Sequence, residues 1–512
     1  MKKTIILLML IAIISKLFGF LRDISLSYFY GASEISDIYL ISLTIPTVLI
    51  AIIGDGISTG FVPMYTRIET KSGLEKANQY TNNLANFVLL ICIGIFIISF
   101  IFTQPIVKLF ASGFNTETLE LAVIFTRITL VSVFFSGLIY VYTAFLQLKG
   151  IFAIPAIMGL PANIIIIVSF IASSQTNIYV LAVGSMVATV SQFLLLIVYC
   201  HKHQYRYQLR LDIKDSNLKK MMYLALPVIL GSSAAQINLL IDRTLASQVV
   251  VGGISALNYA NTTNLVAIGV IVSSITSVLY PKISKAASEN NITGIQKHLS
   301  NAMNTIHLFV LPVLIICLLF PKEIIQLLYG RGEFDTQAID TTSQAFLFYS
   351  IGLVGLSQRE LFSKVFYSMQ DTKTPMINAT FSIIINIILN FTLYRFLGIG
   401  GIALATSISV LFCSLLLFIQ LKKRMGGFKV KSIVITFFKS CLAAVAMGAV
   451  STISYGLLQN SVASTLAFTL AVLVGLLLYI GIILVMRINE VQSVVSHVKF
   501  KRKEKDGIKQ VS

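Results

Sequence analysis

Residues 4–30 read TIILLMLIAIISKLFGFLRDISLSYFY, a membrane-length apolar stretch with Lys16, Arg22 and Asp23 in its inner part. A charge at bilayer depth costs at least ~3 kcal/mol on insertion scales, so it needs a partner or a function. Lys16 and Asp23 are seven residues apart, two helical turns, and share a face; Arg22 lies roughly 100° around from Asp23. Such a helix belongs against a wet, protein-lined cavity. Lys2 and Lys3 ahead of an apolar run imitate a signal peptide, but no small-residue cleavage site follows and Lys16 interrupts the run. The stretch therefore reads as an uncleaved first span.

Similar runs recur to the end of the chain. It is 56% hydrophobic and 12% charged, with mean hydropathy +0.86. Apolar runs near twenty residues without strand-like alternation predict an all-α polytopic membrane protein and exclude a β-barrel. Fourteen spans are expected. The net charge of +18 invites a nucleic-acid reading, but its placement opposes one. With the N-terminus inside, twenty-eight of the 39 Lys and Arg fall in cytoplasmic segments, four in external loops and seven within spans. That asymmetry puts both termini in the cytoplasm. The five cysteines are scattered, without metal or disulfide spacing, and read as buried packing.

An internal repeat of about 220 residues organises the chain. Asp23-Ile-Ser-Leu-Ser27 resembles Asp242-Arg-Thr-Leu-Ala246, FVPMYT aligns Pro63 with Pro281 of LYPKIS, and LKGIFAIP aligns Pro155 with Pro375 of MQDTKTP. Six spans separate the copies, so both have one orientation, a plan that places a substrate path between two lobes. The expected division is an N-terminal lobe over 1–200, a cytoplasmic linker over 201–220, a C-terminal lobe over 221–425, two further spans over 426–490 and a basic tail over 491–512. The tail serves topology and anionic-lipid contact.

Three polar groups stand out. Lys16, Arg22 and Asp23 suit an anionic group such as a phosphate, with Asp55 a further member; mutual neutralisation of Arg22 and Asp23 is the plainer reading. Asp37 and Asp55 mark the two ends of span 2, five turns or roughly 27 Å apart, on a helix interrupted by Pro46 and softened by Gly54, Gly56 and Gly60. Span 7 carries Gln236, Asn238, Asp242 and Arg243, span 11 carries Asn386 and Asn390, and span 12 carries Thr406, one turn after Ile402. These hard oxygen ligands suit a small cation, or else interhelical hydrogen bonds. In span 10, Arg359 with Glu360 reads as an internal pair, and Lys364 lies nearby. Walker A, HExxH and GxSxG motifs are missing. Glu333 and Asp335 read as external loop residues, which leaves a membrane glycosyltransferase without an acidic site.

SKLFGFLRDISLSYFYGASEISDIYLISLTIP and GDGISTGFVP resemble the N-terminal signature of MurJ/MviN-type flippases, and LYGRGEFDTQAI, VFYSMQDTKTP and GIGGIALATSIS resemble their C-terminal lobe. The resemblance covers about residues 10–425 and places the chain in the multidrug/oligosaccharidyl-lipid/polysaccharide exporter superfamily. It implies fourteen helices, two parallel six-helix lobes and two C-terminal helices forming a lipid-tail groove. It also implies transport of lipid II, the undecaprenyl-pyrophosphate-linked peptidoglycan precursor, from inner to outer leaflet of the bacterial cytoplasmic membrane. The family's cavity cations fall on Lys16, where Arg is usual, and Arg22; its acidic positions fall on Asp37 and on Asp55, where Glu is usual. Its sodium site falls on Asp242, Asn386, Asn390 (where Asp is expected), Ile402 by its carbonyl, and Thr406. Two further cavity arginines fall on Ile50 and Thr262, which leaves Arg243 or Lys364 to compensate. The expected partners are lipid II or a related polyprenyl-pyrophosphate-linked saccharide, membrane lipids and the cell-wall synthesis machinery, without nucleic acid. No cofactor is expected beyond sodium as coupling ion. The alternatives are a flippase for another polyprenyl-linked surface polysaccharide and a cation-coupled multidrug exporter.

Overall fold

The computed structural model describes residues 2–427 and 430–486, without the side chains of 2–10, 12, 230 and 270. The basic tail expected over 491–512 lies outside the described residues. Within them the chain is all helix, with no strand. The first copy of the repeat runs through α1 (Lys2–Tyr30), α2 (Glu34–Ile101), α3 (Thr103–Phe110), α4 (Thr116–Thr129), α5 (Ser132–Leu148), α6 (Ala153–Ile157), α7 (Gly159–Gln175) and α8 (Val180–Lys202). The second runs through α9 (Ser216–Val249), α10 (Gly253–Ser288), α11 (Ile292–Leu319), α12 (Pro321–Tyr329), α13 (Thr336–Ile351), α14 (Leu353–Ser368), α15 (Lys373–Leu397) and α16 (Ile399–Arg424). Then come α17 (Lys431–Leu458) and α18 (Ser464–Val485).

The copies correspond at the repeat offset, with α2 matched by α10 and α11, and α6 with α7 matched by α15. A short helix, α3 or α12, precedes a broken pair, α4 with α5 or α13 with α14. Asn115 caps α4 by accepting from the Thr118 N–H at 2.9 Å; Asp335, 220 positions on, caps α13 by accepting from the Ala338 N–H at 2.7 Å. Each side chain satisfies a helix-end donor that has no intrahelical partner. Asp335 therefore has a structural task in its loop.

Nine described helices are long and apolar enough to cross a membrane, or eleven if each bent pair counts once. The protein is a multi-pass membrane protein. At 68 residues α2 is about 100 Å long if straight, more than three bilayer cores. It turns at Gly73, whose φ of 82° suits a residue without Cβ, and so holds two crossings. Fourteen passes are consistent with this arrangement.

The chain divides into two compact units. The first holds the described residues up to 262 with Leu328–Thr342 and Ile387–Ile402; the second holds Thr263–Leu327, Ser343–Asn386 and the described residues from 403 on. In the first unit, α2, α5 and α9 share a core that includes Phe61, Tyr65, Val141, Phe145 and Met221. Gly60 lets α9 approach: a Cβ there would lie 3.0 Å from Met221. Small residues at such crossings give membrane helices their dispersion contacts. In the second unit, α17 and α18 pack on α11 through Ala443, Ala444, Met447 and Tyr479, whose hydroxyl donates to the Leu308 carbonyl at 2.7 Å.

Candidate functional site

α1 carries the chain from the N-terminal face to a loop at 31–33, termed here the distal face. In the first unit several loops meet there. Asp37, 2% exposed near the start of α2, accepts from the Ser255 N–H and hydroxyl, both at 2.7 Å. Ser255 lies in the first turn of α10, so Asp37 caps a helix from the other repeat, where a carboxylate also meets the positive end of the helix dipole. The Tyr259 hydroxyl donates to the Gly31 carbonyl at 3.1 Å, and the Glu333 N–H donates to the Tyr28 carbonyl at 2.9 Å. Gly113 donates its N–H to the Ser247 hydroxyl at 3.0 Å. The distal face is closed by direct hydrogen bonds.

Beneath this closure lie the charges of α1. Arg22 Nε and Nη2 donate to Oδ1 of Asp23 at 3.0 and 2.8 Å. The hydroxyl of Thr262 on α10 donates to the other oxygen, Oδ2, at 3.1 Å. Asp23 is buried and the Arg22 side chain one-third exposed, so the guanidinium keeps a face toward open space. Lys16 is exposed and Asp55 half-buried. Among the described residues neither side chain makes a hydrogen bond or ion pair, so the structure does not draw Asp55 into the α1 cluster. Ile50 is buried in the α2–α5 core, where a larger charged side chain would have no place.

Arg243 and Lys364 are engaged elsewhere. Arg243 ties α9 to α10, donating to the Ile254 carbonyl at 2.9 Å and to Oδ1 of Asn258 at 3.2 Å. In the second unit Lys364 donates to Glu360 and to the Thr276 hydroxyl, both at 2.9 Å. The expected Arg359–Glu360 pair gives way to Glu360–Lys364. Glu360 and Lys364, four apart, share a helix face.

The oxygen-rich residues form a group of three and a pair, each within one unit. In the first unit Asp242 accepts from Asn390 at 2.6 Å and from Asn238 at 3.2 Å. In the second unit the Asn386 amide donates to the Thr406 hydroxyl at 3.1 Å. Ile402 is fully buried. Within the first unit, the Asp242 carboxylate beside the Asn238 and Asn390 amides offers oxygen donors with one formal charge, the donor chemistry that hard cations prefer.

Sequence reasoning found the charged members because charges stand out in apolar runs. It missed Ser255 as the partner of Asp37. The available signal was the Gly252-Gly253 break before Ser255, which marks a helix start in need of a cap.

The family model described as "Lipid II flippase MurJ" matches residues 26–487. A protein named probable lipid II flippase MurJ from Buchnera aphidicola subsp. Baizongia pistaciae (strain Bp) is 27% identical over 413 residues, 80% of either chain. The lipid II flippase MurJ of Thermosipho africanus (strain TCF52B) is 28% identical over 77% of this chain and 80% of its own. A solved structure titled "Lipid II flippase MurJ, inward closed conformation" superposes with a TM-score of 0.83 at 26% identity, over 95% of this chain and all of that one. An inward-facing multidrug resistance MATE transporter follows at TM-score 0.68 and 16% identity, covering 80% of this chain and 94% of its own, a likeness of fold alone. With the family model spanning most of its length, the chain belongs to the MurJ family of lipid II flippases.

Proposed function

We propose that this protein carries lipid II across the bacterial cytoplasmic membrane by alternating access, as a transporter that makes or breaks no covalent bond of its cargo. Both termini lie in the cytoplasm, on the strength of the Lys and Arg asymmetry, so the distal face is external. The observation that carries the reading is the Arg22–Asp23–Thr262 group directly beneath the distal closure. It joins the cargo's expected anion ligand to the contacts that hold the gate shut. A pyrophosphate arriving from the cytoplasm competes with Asp23 for Arg22, which binds phosphate oxygens bidentately. Lys16, exposed two turns earlier on α1, supplies the second cation. Once Arg22 turns to the cargo, Asp23 is left as a buried carboxylate without its charge partner, which destabilises the closed arrangement around it.

The polyprenyl tail stays in lipid beside α17 and α18 while the sugar-peptide head crosses. An inside-negative potential drives the anionic head outward by ~2.3 kcal/mol per charge per 100 mV. Sodium at Asp242 returns the empty carrier. Arg22→Ala is the direct test, in cells depleted of their own flippase. It is expected to fail to restore growth and lipid II export while the protein still reaches the membrane. Normal rescue would overturn the pyrophosphate role.

A further inference from the structure

On the face that carries the N-terminus, the linker is strapped to α2 by a ladder of asparagines. Asn78, Asn82 and Asn86 donate to the carbonyls of Gln204, Arg206 and both Gln208 and Arg210, at 3.0–3.2 Å. Asn83 donates to the Asp212 carbonyl at 3.0 Å and accepts from its N–H at 2.6 Å. Tyr205 and Tyr207 each donate to a ladder asparagine at 2.6 Å. The linker is therefore a fixed wall. Between it and the Gly73 turn of α2 lies a pocket of about 360 Å³, within the size range of small-molecule sites.

Arg67, Lys71 and Lys76 line the pocket from α2, and Arg210 lines it from the linker. Among the described residues none of the four has a carboxylate within ion-pair distance. Topology alone places lysines and arginines on this face, but elsewhere on it they find acids: Lys149 sits 2.8 Å from Glu69. The two carboxylates lining the pocket are already engaged. Asp212 accepts from the Lys214 N–H at 3.0 Å, and Asp215 accepts from the Asn217 N–H at 2.8 Å and from Asn83 at 3.3 Å. Tyr80 also lines the pocket; it is 2% exposed and its hydroxyl has no hydrogen-bond partner. Two guanidinium forks and two ammonium groups around one concavity match a phosphate group, which offers several oxygens and more than one charge.

We infer that this pocket binds a phosphate-bearing anion, bridging the turn between the first two passes of α2 and the linker that leads into α9. The ligand is either the headgroup of an anionic phospholipid in the adjoining leaflet or a soluble phosphate compound. Bound there, it ties the two walls together and stabilises the strapped form of the linker.

The test uses the full chain in nanodiscs and does not depend on flipping. In the lipid arm, phosphatidylglycerol retained from mixed phosphatidylcholine–phosphatidylglycerol discs is counted by native mass spectrometry. In the soluble arm, inorganic pyrophosphate is titrated against discs of phosphatidylcholine alone and thermal stability is read. Arg67→Gln/Arg210→Gln is expected to lose about thirtyfold in apparent affinity in one arm, in line with the attraction that two cations exert at an anionic surface. The arm that responds names the source. Lys71→Gln/Lys76→Gln, at exposed positions outside the α2 core, gives the same readout if the first variant folds poorly. Lys422→Gln/Lys423→Gln removes two basic residues from the last turn of α16 and is expected to change neither arm. The inference is overturned if the pocket variants match the wild type in both arms, or if the α16 variant loses as much as they do.

Discussion

Asp37 caps a helix to which it does not belong, and its substitution separates charge from hydrogen bonding. In Asp37→Ala the Ser255 N–H and hydroxyl lose their acceptor inside a buried site, at a cost of about 1–3 kcal/mol. In Asp37→Asn an acceptor remains and only the charge at the α10 N-terminus goes, for about 1 kcal/mol or less. Thermal unfolding should therefore rank wild type above Asn above Ala, and the reactivity of Ser33→Cys toward impermeant thiol reagents should rank in the reverse order. Arg22 and Asp23 respond differently. Arg22→Ala leaves a buried carboxylate held only by Thr262, whereas Arg22→Ala/Asp23→Asn removes that charge too. The double variant should recover thermal stability lost by the single one without recovering lipid II export; recovery of both would assign Arg22 a purely structural role. Outside the spans, the Thr374 N–H and hydroxyl and Arg424 hold Asp371 below the ordinary carboxylate range. A lowered folded-state value means the contribution is full above that range and is lost as pH falls through the folded value. Hydrogen-exchange protection across the 369–373 turn, corrected for the intrinsic pH dependence of exchange, should hold from neutral pH to about pH 5 and fall below about pH 4. Asp371→Asn should abolish that acid step.

Helices and their repeat were legible because each has a local signal: apolar length for the spans, prolines and glycines for the breaks, and a common offset for the two copies. The capping pair Asn115 and Asp335 obeys that offset too, although Asp335 alone looks like any loop acid. Where the sequence misled, the missing information was a partner. Thr262 is one hydroxyl among many, and nothing near it in the chain reveals that it meets Asp23 across 239 positions. The linker is the clearest case. Residues 204–212 alternate polar side chains with Tyr205, Tyr207, Leu209 and Leu211, a linker whose partner the chain nearby does not reveal, and four asparagines on α2 fix alternate carbonyls along it. Neutral hydrogen bonds of this kind are worth about 1 kcal/mol each. Asn82→Ala/Asn86→Ala removes three donor contacts to the linker backbone and the acceptors of Tyr205 and Tyr207. Limited proteolysis of inside-out vesicles should then cut within 204–212 at least about tenfold faster than in wild type, with α2 itself intact. Equal cleavage rates would mean that the strap adds nothing to the linker's order.

A carrier must open the face that this structure closes, and hydrogen bonds set the scale of that opening. The distal contacts from Asp37, Thr262, Tyr259 and Glu333 amount to a few kcal/mol together if each is worth about 1 kcal/mol. Shifting an equilibrium from 1:99 to 99:1 needs about 5.5 kcal/mol of differential binding. In the cycle proposed above, cargo that diverts Arg22 supplies part of this, and the membrane potential acting on its charges supplies more. The return step needs a separate bias, which the function proposed above assigns to a cation at Asp242. Its carboxylate is met by the amides of Asn390 and Asn238, and either amide can turn its carbonyl oxygen inward when a cation replaces the N–H donors. Under the sodium reading proposed above, the set carries one formal charge, fewer than the carboxylates of a calcium site supply. Sodium at about a hundredfold its dissociation constant should stabilise the protein by about 2.7 kcal/mol, while an equal concentration of potassium leaves it nearly unchanged. In proteoliposomes, replacing sodium by potassium should slow repeated turnover but spare a single outward transfer, because only the reset uses the ion. Asp242→Asn should remove the sodium response of both stability and turnover. If wild type and Asp242→Asn respond alike to sodium, the ion acts elsewhere and the polar cluster serves only to hold its helices together.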